Sequence, residues 1–176
     1  HQLAVAGVTT TVNDDDQAGV VVAPTQLHVQ EPAGTALFTI TLTSQPTTTV
    51  NVGLTASDPS ECMMPAQVTL DETNWQQGVT VAVNAVDDML DDSDQICIVQ
   101  TAVNSADAHY MGLAAADVTT MVADDGDTAG VIVGSTVLTV AEPAGSQNFT
   151  VVLTSEPTAP ITLTLTPANA QCTATK

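Results

Sequence analysis

The phrase Asn13-Asp14-Asp15-Asp16-Gln17-Ala18-Gly19-Val20 returns about 110 residues later as Asp124-Asp125-Gly126-Asp127-Thr128-Ala129-Gly130-Val131, and the flanking text repeats with it. A recurrence at that spacing is domain-sized, so the chain reads as copies of a unit large enough to bury its own core. Val131 to Val140 repeats Val20 to Val29, Glu142-Pro143-Ala144-Gly145 repeats Glu31-Pro32-Ala33-Gly34, and Phe149 to Ser155 repeats Phe38 to Ser44. Upstream, Leu3 to Val12 runs into the first acidic phrase as Asp117 to Val122 runs into the second. The expected organisation is the last strand of a preceding repeat (1–13), one complete repeat (14–123), and the first half of another, strands A to C (124–176).

Within the complete unit, apolar residues alternate with polar ones in short runs divided by Pro, Gly and small polar residues. The runs predict strands A (Val20 to Val29), B (Ala36 to Thr43), C (Val50 to Ala56), D (Gln67 to Leu70), E (Val79 to Val86), F (Gln95 to Thr101) and G (Asp117 to Val122). Glu31-Pro32-Ala33-Gly34, Ser44-Gln45-Pro46-Thr47 and Ser57-Asp58-Pro59 supply the turns after A, B and C. Seven short strands rich in Val and Thr predict an all-β, antiparallel, immunoglobulin-like sandwich in tandem array. Leu113 to Ala116 is the one stretch that suggests a helical turn.

Charge carries the functional argument. Twenty carboxylates face a single basic residue, Lys176, for a net charge of −19. Phosphate recognition rests on Lys and Arg, so nucleic acid is not an expected partner. No run is long and apolar enough to predict membrane insertion by a helix. If successive strands alternate in direction, the A–B, C–D and E–F turns and the exit from G share one end of the sandwich. That end receives Glu31, then Asp58 and Glu61, then Asp87, Asp88, Asp91, Asp92 and Asp94, then Asp124, Asp125 and Asp127. The opposite end holds Asp71, Glu72 and Asp107. Carboxylates crowded without Lys or Arg raise one another's pKa values unless a cation joins them. Oxygen-only ligands favour Ca²⁺ over zinc or copper, and Mg²⁺ retains more of its water. The competing reading of the same residues is a solvated acidic cap that keeps the protein soluble.

The sequence Leu27-His28-Val29-Gln30-Glu31-Pro32-Ala33-Gly34-Thr35, the run Val86-Asp87-Asp88-Met89-Leu90-Asp91-Asp92-Ser93-Asp94-Gln95, and a last strand ending in Asp residues together resemble the Calx-beta domain. The resemblance covers residues 14–127 and, as partial copies, the flanks. It implies an immunoglobulin-like sandwich that binds calcium through the Glu after strand A, the Asp pair and later acids of the E–F loop, and the tail after G. Carried over, those positions are Glu31, Asp87, Asp88, Asp91 or Asp92, Asp124 and Asp125, with Asp127 following in the same tail. A further ligand of the family comes from a longer C–D loop, where this chain has Ser57-Asp58-Pro59-Ser60-Glu61-Cys62; Asp58 is its counterpart here. The wording Ser105-Ala106-Asp107-Ala108-His109-Tyr110, with Asn74-Trp75, is closer to tandem repeats of large bacterial adhesins and surface proteins than to the exchanger members of the family.

Strand parity also puts Cys62 and Cys97 at the acidic end, on strands that neighbour each other in an immunoglobulin-like sandwich. Two readings stand at this point: a disulfide closing a loop of about 36 residues and contributing about 3–4 kcal/mol, or two buried thiols. Cys172 occupies almost the place of Cys62 in the next copy. A bridge implies an oxidising compartment, hence an extracellular location. His1, His28 and His109 are scattered and read as surface residues, Trp75 reads as a plug at the far end of the core, and Asn148-Phe149-Thr150 fits a glycosylation sequon.

No nucleophile stands beside a base, so an enzyme is not expected. The expected role is a structural or adhesive extracellular repeat stiffened by calcium, partnered by neighbouring repeats or copies of itself, with cell-surface ligands reached through other modules. The alternative is a subunit of a self-assembling filament completed by neighbouring copies.

Overall fold

The structure, a computed structural model, describes residues 3–168 and 170–174. His1 and Lys176, both part of the sequence reading, lie outside them. The described residues form strands only, with no helix among them. The complete unit is an immunoglobulin-like β-sandwich of two sheets. Strands β1 (Val20–Ala23), β3 (Thr35–Leu42), β7 (Val79–Ala85) and β5 (Cys62–Met63) make one, in the order β1-β3-β7-β5. Strands β2 (Gln26–Gln30), β9 (Val118–Ala123), β8 (Gln95–Ser105), β4 (Val50–Ala56) and β6 (Gln67–Leu70) make the other, in the order β2-β9-β8-β4-β6.

Period-two alternation places the core. Phe38, Ile40 and Leu42 point inward from β3, Val50, Val52 and Leu54 from β4, and Val81, Val83 and Ala85 from β7. Val118, Thr120 and Val122 do so from β9. Trp75 is half-buried against this cluster, as a plug would be, and its carbonyl accepts the Leu42 N–H at 2.9 Å.

Three details depart from the expected strands. The predicted strand A is two strands, because Pro24 offers no N–H to the ladder. Before it, β1 pairs antiparallel with β3; after it, β2 crosses to the other sheet and pairs parallel with β9, Leu27 opposite Thr120 and Val29 opposite Val122. The sandwich is therefore antiparallel except along that one edge. Strand F continues to Ser105, along the whole of β4. The two-residue β5, absent from the expected set, sets Cys62 opposite Ala85 of β7. The suggested helical turn at 113–116 is plain coil.

Flanking segments form less structure than the repeat suggested. Residues 3–19 contain no strand, and Leu3, Val5, Val8 and Val12 are each at least 90% exposed. Past the second acidic phrase, β10 (Val131–Val133) and β11 (Val151–Leu153) pair antiparallel, Val131 opposite Leu153 as Val20 is opposite Leu42. The rest of the predicted second strand A, to Val140, is coil. The physical reason is shared: an extended segment is held by a neighbouring ladder, and β2 has β9 beside it, while no described strand lies beside 3–12 or 134–140.

Candidate metal site at the acidic end

Four chain segments deliver carboxylates to one end of the sandwich, each for a local reason. Glu31 follows β2 in a turn closed by Gly34, whose N–H donates to the Gln30 carbonyl at 2.6 Å. A Cβ on Gly34 would lie 2.4 Å from that same backbone, so the close approach requires glycine. The Glu31 N–H donates to the Ala123 carbonyl at 3.0 Å, which ties the turn to the end of β9. Glu61 precedes β5 and its carbonyl accepts the Val86 N–H at 3.0 Å, which draws the C–D segment to the opening of the E–F loop. Within that loop Asp88 accepts the Leu90 N–H at 2.8 Å. Asp94, at its close, accepts the Asp124 N–H at 3.3 Å.

The carboxylates gather in two groups. Glu31, Asp124 and Asp125 can place one oxygen each within 4.8 Å of one another, and so can Glu61, Asp88 and Asp92. Glu31 and Glu61 are buried, at 8% and 7% exposure, while their partners are partly or fully exposed. Each group thus has one carboxyl in the protein wall and two toward solvent.

The electrostatics follow from burial with no Lys or Arg among the described residues to supply counter-charge. Desolvation first, then the charges of Asp88, Glu61, Asp124 and Asp125, push the Glu31 carboxyl from its ordinary 4.5 up to about 7. Glu61 is raised by desolvation and then by Asp92, Asp88 and Asp58. Asp127 is raised by desolvation and then by Asp125, Asp124, Asp87 and Asp88. Asp88 acts on both buried glutamates, so the two groups form one electrostatic unit.

Of the residues expected as ligands, the structure brings together Glu31 with Asp124 and Asp125, and Asp88 with Asp92. Asp87 and Asp127 sit beside them as neighbouring charges. Asp58 stands outside both groups, its Oδ1 accepting the N–H and hydroxyl of Ser60 in a local turn. Asp91 is outside as well, and its Oδ2 accepts the Ala129 N–H at 2.9 Å. Glu61 is the group member missing from the candidate ligand set. Its signal lay in Glu61-Cys62: a carboxylate next to a bridging cysteine is carried into the wall of the sandwich with it.

Cys62 and Cys97 form a disulfide with Cα atoms 6.1 Å apart, both side chains fully buried. This is the expected pairing, and strands C and F are neighbours as expected, but Cys62 lies on β5 in the sheet of β7 while Cys97 lies on β8, so the bridge spans the two sheets beneath the acidic loops. Cys172 is free and exposed.

Oxygens bound to one calcium at about 2.3–2.6 Å lie within about 5 Å of each other. Both groups meet that limit with carboxylate oxygens alone, so each offers three hard oxygen donors to a single cation.

The fold and this end define an all-β, immunoglobulin-like sandwich module with a carboxylate-lined pole. No family model matches the chain, and no curated protein does. Among solved structures it is similar to the apo-form Calx CBD1 domain, with 13% identity and a TM-score of 0.45, covering 61% of this chain and 98% of that one. It is similar also to the periplasmic chaperone SfaE, with 10% identity and a TM-score of 0.45 over 61% of this chain and 59% of that one. A two-domain protein of unknown function from Bacteroides fragilis gives 11% identity and a TM-score of 0.47, covering 64% of this chain and 47% of that one. These likenesses concern the course of the chain and transfer no ligand or partner.

Proposed function

We propose that the chain is a structural extracellular module of a tandem array, of the kind found in large bacterial adhesins, whose acidic pole holds calcium at the junction between successive sandwiches. The observation that carries this reading is the pair of carboxylate groups on one pole, each built on a buried glutamate, with no Lys or Arg among the described residues. Glu31, Asp124 and Asp125 would hold one cation, and Glu61, Asp88 and Asp92 a second; Asp87 and Asp127 add charge nearby. A bound divalent cation supplies the positive charge that this pole lacks. Because Glu31 belongs to the sandwich and Asp124 and Asp125 to the segment leaving it, filling the first group stiffens the exit from the unit. Extracellular calcium modules bind with dissociation constants of about 10⁻⁴ to 10⁻³ M, which suits a permanently filled structural site. The disulfide fits an oxidising compartment, and no described helix is long and apolar enough to cross a membrane. The role needs no catalytic group, and its partners are neighbouring repeats, with adhesion ligands bound by other modules.

The test is the melting temperature and the solution-scattering profile of the chain with millimolar calcium and with chelator. Calcium should raise the first and lengthen and narrow the particle in the second. Identical values in both conditions would leave only the solvated acidic cap.

A second reading has its own observation. Leu3, Val5, Val8 and Val12, together with Ile161, Leu163 and Leu165, are exposed apolar residues on segments without a sheet partner. A filament subunit completed by neighbouring copies would cover them. Concentration-dependent growth in light scattering, insensitive to chelator, distinguishes that reading from the calcium-stiffened array.

A further inference from the structure

Two features of the E–F loop play no part in the carboxylate groups. The Asp91 Oδ2 accepts the Ala129 N–H at 2.9 Å, and the Met89 carbonyl accepts the Glu156 N–H at 2.7 Å. The donors lie far apart in sequence, one just before β10 and the other just after β11. They are side by side because β10 and β11 pair and because the Thr154 N–H donates to the Gly130 carbonyl at 3.0 Å. A single loop of the complete sandwich thus grips both edges of the first hairpin of the following unit. An open cleft of about 450 Å³ lies between them, lined by Asp91, Val131, Leu153, Pro157 and Ile161.

We infer that the E–F loop is a metal-independent clasp: Asp91, as a positioning residue, and the Met89 carbonyl seize the Ala129 and Glu156 N–H groups and set the angle between one unit and the next. Two hydrogen bonds to the segments that flank two paired strands fix an orientation, where a single one would leave a pivot. The aspartate bond is charge-assisted, the stronger kind. The receiving surface is built into the repeat. In the complete unit the Thr43 N–H donates to the Gly19 carbonyl at 3.0 Å, as Thr154 does to Gly130, so Ala18 and Gln45 hold the places of Ala129 and Glu156. A preceding unit's E–F loop would meet the same pair of donors there.

The clasp goes beyond the calcium reading and does not depend on it. The test is amide hydrogen exchange of the full chain in excess chelator, for the wild type and for the D91A and D91N variants. Both substitutions remove the same charge from an exposed position, but the asparagine keeps an oxygen acceptor. In D91A, exchange at Ala129 should accelerate about tenfold or more, as expected on losing a hydrogen bond to a charged group. Exchange at Glu156 should accelerate with it, although its own acceptor is a backbone carbonyl the substitution leaves in place. D91N, which keeps an oxygen acceptor but loses the charge, should accelerate both amides less than D91A does. Wild-type rates at both amides in D91A would overturn the clasp, as would acceleration at Ala129 alone. If calcium has no effect on the wild type while D91A still releases both amides, the calcium reading fails and the clasp stands.

Discussion

The two ends of the sandwich both carry buried carboxylates, and they treat them in opposite ways. At the far end, Asp107 is 4% exposed and surrounded by donors. Its Oδ2 accepts the N–H and the hydroxyl of Thr47, each at 2.8 Å, and its Oδ1 accepts the His109 N–H at 2.9 Å and faces the His109 ring at 3.2 Å. Those bonds, the Thr47 N–H first, hold the carboxyl down at about 2. At the acidic pole Glu31 is comparably buried, but its surroundings are other carboxylates, and it stands near 7. The first arrangement is complete within the chain. The second gathers carboxyls with no donor of that kind to Glu31 among the described residues, and its strain is relieved by a proton on Glu31 or, on the reading proposed above, by a cation.

That contrast can be broken most strongly at the disulfide. The bridge crosses the sheets beneath the acidic loops, at the pole the charges push apart. Its reduction should cost about 3–4 kcal/mol by loop entropy. The cost should be larger in chelator than in calcium, because cations offset the repulsion that the bridge otherwise resists. Thermal melts with and without reductant, each with and without calcium, measure it. An equal loss in both conditions would show that the bridge and the acids act independently.

A smaller but more specific effect comes from pH. Glu31 has a folded pKa raised above its unfolded value, so in chelator its contribution to stability is full below about 4.5 and is lost as pH rises through about 7. Asp107 is depressed, so its contribution is present above 3.8 and is lost as pH falls through about 2. The substitution E31Q should therefore stabilise the metal-free protein by about 1–2 kcal/mol near pH 8, since the amide removes one repelling charge. It should also reduce the gain on adding calcium. D107N should lower the melting temperature across the neutral range in either condition. Melts from pH 4 to pH 8 in chelator check both, and a common sign for the two substitutions would erase the distinction between the ends.

Strand parity made the acidic pole legible, because it depends only on how many strands separate two turns, and the hydrophobic alternation shows that directly. Glu31, Asp88 and Asp124 come together for that reason. Parity does not say which oxygen faces which neighbour. Asp91 and Asp92 are adjacent in sequence, yet one joins a carboxylate group and the other grips the Ala129 N–H. Asp58 turns back on Ser60 by a local geometry that any Asp-Pro-Ser could adopt. The crossing of strand A between sheets was written in Pro24, but an alternating run on both sides of a proline reads as one strand until the pairing partners are known. The segment after the second acidic phrase shows the limit from the other side. Its sequence repeats that of strand A, and residues 134–140 still form no strand, since a ladder is a property of two segments.

The smallest effect concerns a residue that alternation alone does not single out. Tyr110 is fully buried at the far end, and its hydroxyl donates to the Ser44 carbonyl at 2.6 Å and accepts the Ser44 N–H at 3.2 Å. This ties the turn after β8 to the turn after β3, across the sheets, much as the tyrosine corner does in other sandwiches. In Y110F the ring still fills its place in the core, while the Ser44 carbonyl and N–H lose their partner. The expected cost is about 1 kcal/mol. Because the site is remote from the acidic pole, the loss should be the same with calcium and with chelator. Chemical denaturation in both conditions measures it; a calcium-dependent loss would mean that the two ends are coupled through the core, and that the far end answers to the state of the pole.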